Sequence, residues 1–139
     1  VNLEEDGPKR ALRGTVVKVL RHHRAHRGMC LEPHASRCVR QGEVHELATT
    51  DHVDTTSGSR VERVAFLGFV EFTCAGVLDR DDELWIGDHR VGRVLGFDAC
   101  HFPNHYNVLV HAGTPLSGAD LHLQPEDPVR VVPAQVPAL

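Results

Sequence analysis

Eleven residues, FDACHFPNHYN (97–107), gather Asp98, Cys100, His101, Asn104, His105, Tyr106 and Asn107 around one proline. Imidazole titrates near neutral pH, and a histidine held by a carboxylate keeps one tautomer and can shuttle a proton. Asp98 with His101 or His105 supplies such a pair. Asn104 and Asn107 can donate to a substrate carbonyl or carboxylate, and Tyr106, the single tyrosine, completes the polar set. That chemistry suits an isomerisation, elimination or hydrolysis of a small molecule. The competing expectation is structural: Asp98 and Asn104 form side-chain turns while the histidines satisfy buried backbone groups.

On a helix, His101 and His105 would share one face, as a metal site needs. Pro103 between them argues against a regular helix, so only a loop can bring the rings together. No cofactor is expected. The alternative is a divalent metal on His101 and His105, with His45 as third ligand or else Glu43, Glu46, Asp98 or Cys100. Cys30, Cys38, Cys74 and Cys100 form no CxxC pair, which argues against a zinc ribbon or a dithiol redox centre. A Cys100–His101 thiolate pair needs a turn, because adjacent residues on a strand point apart.

Three other places carry chemistry. In EVHEL (43–47), a strand puts Glu43 and His45 on one face, and an inward orientation would put both in a barrel lumen with His45 toward bound substrate, although an exposed edge strand is the expected state. Glu71 stands in an apolar run beside Phe69, Val70 and Phe72, where burial would raise its pKa and fit it for catalysis. The cluster Arg21, His22, His23, Arg24, His26 and Arg27 can grip a phosphate or carboxylate, with Arg24 as the substrate-binding candidate, although a solvated hairpin tip is its expected state.

These groups must be positioned by strands. RGTVVKVLR (13–21), VERVAFLGFVEF (61–72), ELWIG (83–87), HRVGRVLGF (89–97) and NVLVHA (107–112) are rich in valine and aromatics and bounded by polar turns, and MCLEP (29–33) is expected to return as a short second strand. Gly87-Asp88 has the chemistry of a two-residue hairpin loop, and Gly68 marks a bend where a barrel closes. A short hairpin is expected around Gly42, and an exposed loop over 51–60. No stretch shows a sustained 3.6-residue apolar period. The expected fold is all-β: a small closed or nearly closed barrel of short, mostly antiparallel strands with little helix, its mouth open to loops. One domain spans 1–139, with arms at 1–12 and 133–139.

A hydrophobic content of 41% in 139 residues suffices for a core without staples. The net charge of -4 and the lack of aromatics within the basic cluster argue against nucleic acid. No apolar run is long enough for a membrane helix. The acidic start VNLEEDGPKR lacks a secretion signal's apolar stretch, so the expected address is cytoplasmic. Walker, Rossmann and nucleophile-elbow motifs are absent from the sequence.

The block GVLDRDDELWIGDHRVGRVLGFDACHFPNHYNVLV (76–110) resembles the centre of a small bacterial family of uncharacterised single-domain proteins. In its order of strand, IGDHR hairpin, VGRVLG strand and loop, it also resembles the β-barrel of sorbitol-type phosphotransferase IIA components. That likeness implies architecture only. The expectation is therefore a homodimeric, small-molecule-binding barrel acting as a lyase, isomerase or cyclase of a specialised biosynthetic pathway. A binding protein without turnover and a metal-dependent hydrolase or lyase are the alternatives.

Overall fold

Short valine-rich segments punctuated by Gly, Asp and Pro disfavour helices, and none forms among the described residues. The computed structural model describes residues 4–134. Its strands are β1 (Leu12–Val19), β2 (His23–Arg24), β3 (Met29–Cys30), β4 (Ser36–Val39), β5 (Val44–Thr50), β6 (Arg60–Val61), β7 (Val64–Phe72), β8 (Gly76–Asp79), β9 (Glu83–Ile86), β10 (His89–Asp98), β11 (Asn107–His111) and β12 (Pro128–Val132). The main sheet runs β1-β12-β9-β10-β11-β5-β7, and β7 pairs back onto β1, so seven strands close into a ring. Every neighbour in the ring is antiparallel except β11 and β5. Closure removes the free edges that an open sheet would expose.

The ring is filled. Leu12, Val16, Leu47, Val70, Phe72, Leu84, Val94, Phe97, Val108 and Val129 form one buried cluster. Side chains alternate between faces along a strand, so Glu46 and Ala48 stand on the wall opposite Leu47. That outer wall has its own apolar cluster: Ala48, Phe66, Leu95 and Leu109, covered by Met29, Leu31 and Val61. Met29 and Leu31 are almost wholly buried, each contributing about 1.5–3 kcal/mol to holding segment 20–35 against the barrel. Backbone bonds from Leu31 to Ser59 and from Glu32 to Phe97 add to that hold.

Gly68 lies in β7 where the register against β5 shifts, at φ +149°. A Cβ there would stand 2.1 Å from the Lys18 carbonyl oxygen, so only glycine lets β1 and β7 approach and the ring bend shut. Gly68→Ala should cost about 3 kcal/mol or more, read by denaturant unfolding.

Three local expectations are corrected. No hairpin forms around Gly42: β4 pairs with β8, whereas β5 pairs with β7 and β11. Residues 45–50 are buried on both faces, which suits a strand flanked on each side rather than an edge. The basic segment 21–28 is not a hairpin tip either, since β2 docks on the end of β7 and the chain runs on across the outer wall. The N-terminal arm is docked, its Lys9 Nζ lying 2.7 Å from Asp79 and 2.5 Å from Asp82. Of the proposed C-terminal arm, residues 135–139 lie outside the described residues. Among the described residues no helix is long and apolar enough to cross a membrane.

Candidate functional site

The strand registers build one row across the outer wall. Asp98 on β10 sits opposite Asn107 on β11, Asn107 opposite Glu46 on β5, and Glu46 opposite Phe69 on β7. Directly paired residues on one face hold their side chains within contact distance. Two covers close over this row: segment 20–35 and the β10–β11 connection, residues 99–106. The motif FDACHFPNHYN is thus that connection with Phe97 and Asp98 before it and Asn107 after it.

Asp98 is buried, and both its oxygens are used. Oδ1 accepts from the Cys100 amide at 3.1 Å and from Asn107 Nδ2 at 3.0 Å, and Oδ2 accepts from the Cys30 amide at 2.9 Å. Burial alone would raise its pKa, but hydrogen bonds from Cys100, Cys30 and Asn107 overcome that and hold it below the ordinary value. Asp98 therefore ties both covers to the barrel and orients neither histidine, contrary to the expected role. Cys100 Sγ accepts from Arg27 Nη2 and Asn107 Nδ2, both at 3.3 Å. Burial and the Asp98 carboxylate push its thiol pKa up, which removes the thiolate reading.

His105 is buried against the edge of Phe69, ring centroids 5.1 Å apart. Asn104 Nδ2 donates to its Nδ1 at 2.8 Å, so the neutral ring carries its proton on Nε2. Nε2 stands 3.6 Å from Glu46 Oε2 and has no hydrogen-bond partner among the described residues, and neither has the buried Asn107 Oδ1. Burial, and next the neighbouring His101, lower the His105 pKa. Burial raises that of Glu46, opposed by the positive charges of His101, Arg27 and His22. A carboxylate and an imidazole face each other, each pushed toward its neutral form.

Glu46 opens onto a cleft of about 380 Å³. Arg24, Arg27, His22 and His101 also line it, over an apolar wall of Leu20, Phe66 and Phe69. Arg27 Nη2 donates to His101 Nε2 at 3.3 Å, which leaves the proton of a neutral His101 on Nδ1. A larger concavity, about 1030 Å³, lies by the N-terminal arm. Its buried acid Asp82 is engaged through Oδ2 by Lys9 Nζ and by the Asp79 amide.

The expected residues therefore divide. His101 and Arg24 line the cleft, His105 lies behind it, and Asp98 and Asn107 brace its floor. Exposed Asn104 fixes the His105 tautomer instead of meeting substrate. His45 faces the other way, near the barrel end: its Nδ1 accepts from the Tyr106 amide at 3.0 Å and its Nε2 meets Glu43 at 2.7 Å. Tyr106 stays there too, its ring under the Arg37 guanidinium. Glu71 pairs with Thr15 and Val44, beyond Phe69, and does not line the cleft. The expected site is at the barrel mouth, with Glu71 or His45 reaching it from the wall; the candidate cleft lies instead on the barrel's outer wall, and apolar side chains fill the inside.

With both nitrogens engaged, His45 supplies no third metal ligand. Among the described residues no three His, Cys, Asp or Glu side chains cluster as a metal site would require. Glu46 was legible only as one spare ligand among several, and Arg27 only as part of a basic run. The pairing of Glu46 with Asn107, which local sequence does not encode, makes it the central acid.

Comparison with curated proteins and with solved structures finds no match. Residues 6–132 match the model of one family, and the chain belongs to that family, a family of unknown function (DUF6917).

Proposed function

We propose that this protein is a small-molecule enzyme of the isomerase or lyase type that works by acid–base chemistry without a bound cofactor. Glu46 exchanges the proton with substrate, and His105 acts behind it as a positioning residue. The observation that carries this reading is the buried Glu46, open to a cleft and 3.6 Å from a buried, unpartnered imidazole nitrogen. A carboxylate raised toward neutrality is a stronger base than an exposed one and is still ionised often enough to act.

In the simplest step, the Glu46 carboxylate takes a proton from a carbon next to a carbonyl. The electron pair moves onto the carbonyl oxygen, where Arg27 and the His101 Nδ1–H stabilise the charge. Protonated Glu46 then returns the proton to a neighbouring atom, so no co-reactant is consumed. The His105 Nε2–H faces the carboxylate and favours its ionised form between turnovers. Concavity supports this over a flat partner-docking loop.

The test is hydrogen exchange in heavy water. The protein is incubated with small keto and carboxylic acids, and loss of C–H signal is followed by proton NMR. Wild type should exchange at least one compound, and Glu46→Gln should fall to the uncatalysed rate. Equal exchange in both proteins would overturn the assignment. His101→Ala, at an exposed position, should leave the melting temperature within about 1–2 °C of wild type, whereas His105→Ala should lower it by several degrees.

A further inference from the structure

The cleft's lining is unbalanced in a way that proton transfer alone does not require. Arg24 and Arg27 are permanent cations, His22 and His101 can become cations, and Glu46 is the one acid among the lining residues. Among the described residues, neither Arg24 nor Arg27 has a carboxylate within ion-pair distance, whereas five of the other eleven arginines do. Arg27 is half-buried, and among the described residues its side chain hydrogen-bonds only to a thiol and an imidazole nitrogen, with Glu46 across the cleft beyond ion-pair distance. A guanidinium taken partly out of water and left with such weak acceptors is matched to an oxyanion that is not part of the chain.

The opposite wall is apolar. Leu20, Phe66 and Phe69 line it, and His22 stacks on Phe66 with ring centroids 4.1 Å apart, so the apolar wall meets the cationic rim directly. On the reading of this cleft as the proton-transfer site, we propose that its substrate is a small organic oxyanion, a carboxylate or phosphate joined to an apolar body. The charged group is held by Arg27 and Arg24, and the body lies against Phe69 and Leu20. This places toward Glu46 the C–H beside the group that takes the electron pair, the carboxylate itself or, in a phosphate, a separate carbonyl.

The experiment titrates the full chain with benzoate, its neutral isostere benzamide, phenyl phosphate and inorganic phosphate, by calorimetry and by NMR shifts of the cleft residues. At least one aromatic anion should bind about tenfold or more tighter than benzamide. Arg27→Gln should erase that preference, and Arg24→Gln, at an exposed position that folding does not depend on, should reduce it. Circular dichroism confirms that both variants are folded. Benzoate against phenyl phosphate tells which oxyanion is preferred.

Benzamide binding as tightly as the anions, no binding by any anionic probe, or a preference intact in folded Arg27→Gln would overturn the proposal. Inorganic phosphate matching phenyl phosphate would overturn the apolar half of it. Glu46→Gln should bind benzoate more tightly at neutral pH, because a like charge has gone. A Glu46→Gln protein that still exchanges C–H sinks proton transfer and leaves the anion preference standing. Loss of the preference leaves the exchange result standing.

Discussion

Replacing Asp98 with alanine should lower the free energy of unfolding by about 3–5 kcal/mol, the largest loss expected from any polar residue of the site. The carboxylate is buried and satisfies the Cys30 amide, the Cys100 amide and Asn107 Nδ2. Without it those donors are left in an apolar surround, and each costs about 1–3 kcal/mol. Not all of that is felt, since the covers can open and let water in. Opening is itself the second consequence: segments 20–35 and 99–106 should lose hydrogen-exchange protection while the ring strands keep theirs.

Asp98→Asn should cost less, because one acceptor oxygen survives. The pH dependence has a definite sign. The folded pKa of Asp98 is depressed below its ordinary 3.8, so its contribution is complete above that value and is lost as pH falls through the depressed one. Wild type and Asp98→Ala should therefore converge in stability under acid, as denaturant unfolding near pH 2 and pH 7 would read.

Glu46→Gln should do the opposite to stability and far worse to turnover. Burial raises the Glu46 pKa above its ordinary 4.5, so the folded protein prefers the protonated form. The stability associated with that proton is complete below 4.5 and fades as pH rises through the raised value. Glutamine keeps the neutral shape at every pH. The variant should melt close to wild type at pH 4 and a few degrees above it at pH 8. Its C–H exchange should nonetheless drop by about 10²–10⁴-fold, the usual worth of a positioned proton-transfer group. A more stable, inactive protein is the signature of an ionisable group kept for function against folding stability. Exchange unchanged together with a lower melting temperature would make Glu46 structural.

Much of the fold was legible because local chemistry decides it. Gly87-Asp88 between alternating strands turns β9 into β10, with Ile86 facing His89 as a hairpin requires. Gly68 was readable as a bend, and the valine-rich runs became the ring strands. The face on which the site lies was not legible. Whether Glu46 or Glu71 becomes the buried acid depends on which stretch of outer wall segment 20–35 covers, and Met29 and Leu31 decide that by packing far along the chain. Both glutamates sit in apolar strands and look alike in sequence. The parallel pairing of β11 with β5, which sets Asn107 opposite Glu46, is equally non-local. The motif at 97–107 contributes His101 and His105 to the candidate cleft, whereas its Asp98 and Asn104 serve the covers and the His105 tautomer.

Site-resolved NMR titration of the Glu46 carboxyl carbon and the His105 ring, in the unliganded protein from pH 3 to 9, addresses the buried pair directly. The account predicts that Glu46 titrates above 4.5 and His105 below 6.5, each perturbing the other's curve. Two independent titrations at those ordinary values would mean that both groups are solvated and uncoupled, and would contradict it.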